Sequence, residues 1–307
     1  MLFIKRLLLV TGTLSLCIFI IGCASHKPQS IKATSEVVHK PDTATRRQLE
    51  ENNYAFYIET GGPVATDAYR YPFVGPNLWA LNKDQQPGID KRLAACQIPE
   101  DILNKMSTIG VVKSALCHPM NLDNMASNEI EKWFEGFSAK ANVYQELFKR
   151  PDAGTVLLER VKAINLGDIQ KYDDKAIEGG YYLTTVERTY FLIAQPQILN
   201  KLDKSQRLAL MLDIREKLND IKTKYKGIYP ADDGNIQFAT VKLMQLEHYP
   251  PFMNEFNANE CLRYYVNSFG AGGACSSTPA CCGYTRNPDA MDKLSSITND
   301  FIASKKM

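Results

Sequence analysis

From Cys96 onward apolar residues return at every third or fourth position, the period of α-helices with one buried face. Pro99-Glu100-Asp101 sets a proline at a first helical position with acids in the first turn, ahead of Ile102, Leu103 and Met106. Ser107 or Thr108 caps the next predicted helix, which runs to Cys117 and is stopped by Pro119. Residues 128–140 carry Ile130, Trp133, Phe134 and Phe137 on one side, and Val143, Leu147 and Phe148 continue after a bend. Arg150-Pro151-Asp152 closes one helix and opens another, in which Leu157, Val161 and Ile164 are spaced for burial.

A polar break is expected around residues 167–180, followed by a helix through Leu183, Val186, Tyr190 and Ile193 that Pro196 interrupts or kinks. Residues 204–226 give the clearest helix, with Met211, Ile214, Leu218, Ile221 and Tyr225 alternating by three and four and Gly227 placed to end it. Phe238, Val241 and Met244 define another helix before Pro250-Pro251, and one more is expected over 257–269. The Gly- and Cys-rich run 270–283 reads as a loop, and Met291, Leu294, Ile297 and Phe301 form a last amphipathic helix. The fold class expected is mainly α: an irregular multi-helix bundle or stacked helical hairpins, with a disulfide-pinned loop near the C-terminus.

Four of these stretches resemble a family of uncharacterised, often exported bacterial proteins. They are CQIPEDILNKMST, the His118-Pro119 pair, YQELFKRPDAGTVLLERV and LIAQPQILNKLDKSQR, spread over residues 96–210. The resemblance implies a helical body and supplies no catalytic residues. In that family the position before the proline is usually aromatic, so His118 departs from the pattern.

The segment 46–95 breaks the helical rhythm with Gly61-Gly62-Pro63, Pro72, Pro76 and Pro87. Within it, Tyr54-Ala55-Phe56-Tyr57-Ile58 reads as a short strand or a helical turn. Tyr69, Tyr71, Phe73 and Trp79 offer either a ligand-stacking surface for sugar or peptide, or a loop pinned to the helical body by its own rings.

The first residues carry a different signal. Lys5 and Arg6 precede an apolar run over 7–21, which ends in Ile20-Ile21-Gly22-Cys23. This pattern resembles a bacterial lipobox, in which the cysteine is acylated and becomes the first residue of the mature chain; the other reading is an uncleaved signal anchor with Cys23 a bystander. Two or more acyl chains hold a protein on a membrane stably. The expected partner is therefore the membrane itself, through lipidated Cys23, in the cell envelope and at the outer membrane if the cell has one. Residues 1–22 are then signal peptide, 23–45 lipidated cysteine and polar tether, and 46–307 a single mainly helical domain. That domain divides into the irregular segment 46–95, a helical body 96–269, the Cys-rich loop 270–287 and a terminal helix 288–307.

Charge sharpens this picture. The formal net charge of +2 falls to zero when the leader with Lys5 and Arg6 is removed. No basic footprint remains for phosphate backbones, and nucleic acid is not an expected partner. Cys96, Cys117, Cys261, Cys275, Cys281 and Cys282 remain beyond the anchor, an even number that outside the cytosol suggests disulfides. Cys96 with Cys117 is the simplest closure, and Cys281 and Cys282 are expected to reach separately for Cys261 and Cys275.

Cys117-His118 are neighbours on a helix, pointing about 100° apart, and adjacency alone does not make them a dyad. Cys275, Cys281 and Cys282 with His248 have poor zinc-ligand spacing, so no metal and no cofactor is expected. His26 and His39 lie in the tether, and Asp173-Asp174 and Asp232-Asp233 fall in polar breaks where turns explain them. No G-x-S-x-G, H-E-x-x-H or phosphate-loop pattern is present. The leading expectation is a non-enzymatic envelope lipoprotein whose body contacts an envelope or extracellular protein partner. Its alternatives are a hydrolase acting on wall material through acids with His118 or His248, and a glycan- or peptide-binding lipoprotein using the four aromatics.

Overall fold

The computed structural model describes residues 60–71, 89–120, 130–172, 176–225, 234–267 and 288–306. Among them the regular structure is helical. Cys23, the expected tether with His26 and His39, the stretch 54–58, Phe73, Trp79, Gly227, the paired acids and the loop holding Cys275, Cys281 and Cys282 lie outside the described residues.

The first two helices are short: α1 (Ile89–Ala95) and α2 (Glu100–Leu103). Pro99 occupies the N-cap of α2, one position before the first helical residue where the proline-acid signature placed it, and the helix lasts four residues. Leu103 and Met106 face inward while Ile102 is left 39% exposed, so the apolar triplet does not share one face. Helix α3 (Thr108–Leu116) starts where Ser107 accepts a hydrogen bond from the Gly110 N–H at 3.0 Å. All its residues but Ile109 are buried, which makes it a central element.

Helices α4 (Ile130–Ser138) and α5 (Asn142–Lys149) are the two halves of the predicted bent helix. They share an aromatic seam in which Phe134 meets Tyr144 edge-on at 5.2 Å. Helix α6 (Ala153–Ala163) follows Pro151, and Asp152 at its N-cap accepts instead from Thr108 Oγ1 at 2.7 Å, tying α6 to the start of α3.

The expected polar break after α6 is narrower than its glycines suggested. A 3₁₀ segment covers Leu166–Tyr172, and α7 (Ala176–Ile193) includes Gly179 and Gly180 within its first turns. Packing overrides the local cost of glycine here, because α7 lies on α3, on α6 and on the 3₁₀ segment. Pro196 does not kink α7; it opens the short α8 (Pro196–Leu199) at a first-turn position.

A capping box launches α9 (Lys204–Thr223), with Asp203 accepting from Gln206 N–H at 2.8 Å and Gln206 Oε1 accepting from Asp203 N–H at 3.0 Å. Inside it, Lys217 donates to Asp213 at 2.6 Å within α9 and to Val161 O at 3.0 Å, so one ammonium–carbonyl bond ties this ion pair to α6. Burial raises the Asp213 pKa, and the Lys217 ammonium works against that rise.

Helix α10 (Gly234–Leu246) packs on α7, α8 and α9, and residues 236–244 are buried throughout. It ends in a left-handed residue, His248, at φ 48°. There Tyr249 N–H donates to Met244 O at 2.9 Å and His248 N–H to Gln245 O at 3.1 Å, the Schellman pattern with histidine where glycine is usual. Tyr249 precedes Pro250 and is pushed out of helical geometry, and α11 (Pro250–Ala258) begins at once. Asn259 then caps α12 (Glu260–Asn267), accepting from Cys261 N–H at 3.0 Å and Leu262 N–H at 3.1 Å, so the expected helix over 257–269 is two helices meeting. The last helix, α13 (Pro288–Ser304), buries Leu294, Phe301 and Ile302. Lys293 pairs with Glu255 and Lys305 with Glu247, clamping α13 to the α10–α11 corner.

Residues 60–71 form a strap along α3. Asp67 accepts from Ser107 N–H at 2.6 Å and Ser107 Oγ at 2.9 Å, and sits against Gly110. Tyr69 N–H donates to Ser114 Oγ at 2.8 Å, and the Tyr71 ring meets His118 at 5.0 Å. Every second strap residue thus meets every fourth residue of the helix line Gly110, Ser114, His118. The registers match because two residues of extended chain advance about 6.6 Å and four of helix about 6 Å. Gly110 and Ser114 are small enough to let the strap backbone close in.

Candidate functional site

His118 lies one residue beyond the C-cap of α3 and is fully buried. Its Nδ1 accepts from Met120 N–H at 3.2 Å, so in the neutral ring the proton sits on Nε2. Nε2 is buried and has no hydrogen-bond partner. Around the imidazole stand Tyr71 and Phe137, each with a centroid 5.0 Å away, and Tyr144 at 6.0 Å. Tyr144 donates its hydroxyl to Ala115 O at 2.8 Å, whereas the Tyr71 hydroxyl is buried without a partner.

Two buried arginines flank the cluster. Arg188, on α7, donates to Leu116 O at 3.2 Å, and Arg92 comes from α1. Burial, then the charges of Arg188 and Arg92, push the His118 pKa down to about 3. Burial is also the main cause that raises the Tyr71 pKa, helped by Tyr144, Cys117, Cys96 and Tyr69. At neutral pH the cluster therefore holds a neutral imidazole and a protonated phenol in a positive surrounding. The acceptor nitrogen of His118 is already engaged, which leaves no lone pair on the ring to take a proton from a substrate.

The residues singled out by sequence fare unequally. Tyr71 is buried against His118 and against Tyr69, whose ring it meets edge-on at 5.2 Å. The stacking-surface expectation is corrected at these positions: the rings pin the strap to the body, with Tyr71 sealed and Tyr69 half-buried. Cys96 and Cys117 are both buried thiols, not a disulfide. The expected front closure counted only the loop entropy gained; a disulfide also needs a narrow Cα and Cβ geometry, which spacing along the chain does not fix. Cys261 lies half-buried on α12. His118 and His248 serve different structural ends, one inside the aromatic cluster and one as a helix cap. Sequence reasoning missed Arg92 and Arg188, whose only signal was a cation set into an otherwise apolar helical face.

Among the described residues no group of three or more His, Cys, Asp or Glu is arranged to hold a metal ion, and no helix is long and apolar enough to cross a membrane. No protein-family model, curated protein or solved structure matches the chain. The resemblance over 96–210 therefore rests on its short words alone.

Proposed function

We propose that this chain is a bacterial envelope lipoprotein, held on a membrane by acylated Cys23, whose helical body serves as an interaction or scaffold module. The observation that carries the reading is the ordered run of Lys5-Arg6, the apolar stretch 7–21 and the lipobox-like Ile20-Ile21-Gly22-Cys23. The strap adds support. It couples the region that follows the tether to α3 through Asp67, Tyr69 and Tyr71, so a load on the anchor acts on the core. The sealed, neutral His118 fits an internal packing role better than acid–base work.

The test is fractionation of cells carrying the wild type and Cys23→Ser, with mass analysis of the mature N-terminus. Acyl mass on Cys23 and release of the variant into the soluble fraction are expected. Unchanged membrane retention, or a chain beginning at Met1 without acyl mass, overturns the anchor. Crosslinking in intact cells tests the second half: a specific envelope or extracellular protein is expected, and a pattern of lipid contacts alone overturns the scaffold role.

A further inference from the structure

We propose that His118 Nε2 and the Tyr71 hydroxyl form a binding site for a small oxyanion of carboxylate size. Two polar atoms in this cluster, His118 Nε2 and the Tyr71 hydroxyl, are buried and unpartnered, and they belong to rings in edge contact at 5.0 Å. Buried polar groups in proteins are as a rule satisfied, and two orphans on touching rings call for an explanation. Both are donors: Met120 N–H fixes the His118 proton on Nε2, and the phenol keeps its hydrogen. What they lack is an acceptor. Water would serve one, but the guanidinium charges of Arg188 and Arg92 favour an acceptor that is itself negative.

Crowding limits its size. Phe137 and Tyr144 also pack against the imidazole, with centroids 5.0 and 6.0 Å away, and Met120 is fully buried, so a formate- or acetate-sized group suits the site better than a larger one. Entry requires the strap to lift. Gly61 and Gly62, at φ 107° and 92°, lie at its start and give the backbone there the freedom to turn. The inference is independent of the anchor.

The experiment is thermal unfolding of the full chain in detergent at pH 7, in acetate or formate from roughly 0.1 to 100 mM, with sodium chloride holding ionic strength constant. The wild-type midpoint is expected to rise steadily with the logarithm of acetate, each tenfold increase above the dissociation constant raising the apparent folding constant about tenfold. Tyr71→Phe keeps the ring and deletes one orphan donor. It is expected to be no less stable than wild type in anion-free buffer, and to lose most of the acetate response. His118→Phe is the second variant, expected to behave alike. In parallel, ¹⁵N spectra of the wild type should show the His118 Nε2 resonance moving on acetate addition. A wild-type midpoint indifferent to acetate, an equal response to chloride, or an undiminished response in Tyr71→Phe each overturns the site and leaves a buried water as the occupant.

Discussion

The Tyr71 ring stands edge-on over the imidazole of His118, centroids 5.0 Å apart and planes inclined at 62°. One ring belongs to an irregular strap and the other to the end of a helix, 47 positions later in the chain. This contact joins the strap to α3, which is buried along its whole length except at Ile109.

Its first consequence is acid sensitivity. The folded state holds His118 near a pKa of about 3, while an unfolded histidine titrates near 6.5. The unfolded chain thus takes up the proton first, and stability falls as pH drops from about 6.5 towards 3, by up to about 1.4 kcal/mol per unit. Urea midpoints at pH 7 and pH 4.5 should separate widely in the wild type. In His118→Phe the separation should shrink by the share this histidine contributes.

The strap depends on Gly61. A Cβ there would meet the backbone carbonyl of Ala163, and φ is 107°, so Gly61→Ala is strained in both space and dihedral. A loss of about 1–3 kcal/mol is expected, concentrated in the strap. Hydrogen exchange at the Tyr69 amide, which bonds Ser114 Oγ, should quicken while the amides of α10 stay protected. Equal acceleration in both places would mean that the strap does not move by itself.

His248 offers the opposite sign. It holds a left-handed conformation at φ 48° in a position that favours glycine. Replacement by glycine keeps both helix-closing bonds and removes the Cβ conflict. His248→Gly is expected to gain about 1 kcal/mol, read as a higher thermal midpoint. A fall in midpoint would show that the imidazole makes contacts worth more than its strain.

The two buried thiols give a chemical count. Cys96 and Cys117 should resist a maleimide in the folded chain and react once urea unfolds it without reductant. Peptide mapping assigns the adducts. If both remain unlabelled in urea until a reductant is added, the pair is oxidised in the isolated protein.

Helix positions were legible wherever a cap and a stripe agreed, as at Ser107 for α3 and Asp203 for α9. Boundaries slipped where tertiary contacts decided them. Gly179 and Gly180 are helical because α7 is held on three sides, and α9 stops at Thr223 although its apolar rhythm runs on to Tyr225. The cluster around His118 was illegible for another reason. Its members come from the strap, α1, α3, α4, α5 and α7, and no local spacing announces that Tyr71, Arg92, Phe137, Tyr144 and Arg188 will surround one imidazole.

Because strap and helix keep step two residues to four, changes of length between Asp67 and Tyr71 are quantised. One added residue would turn the phenol outward and leave the imidazole facing solvent. Two would restore its direction but carry it a full helical turn too far. The spacing of these positions is thus as much a part of the joint as their side chains.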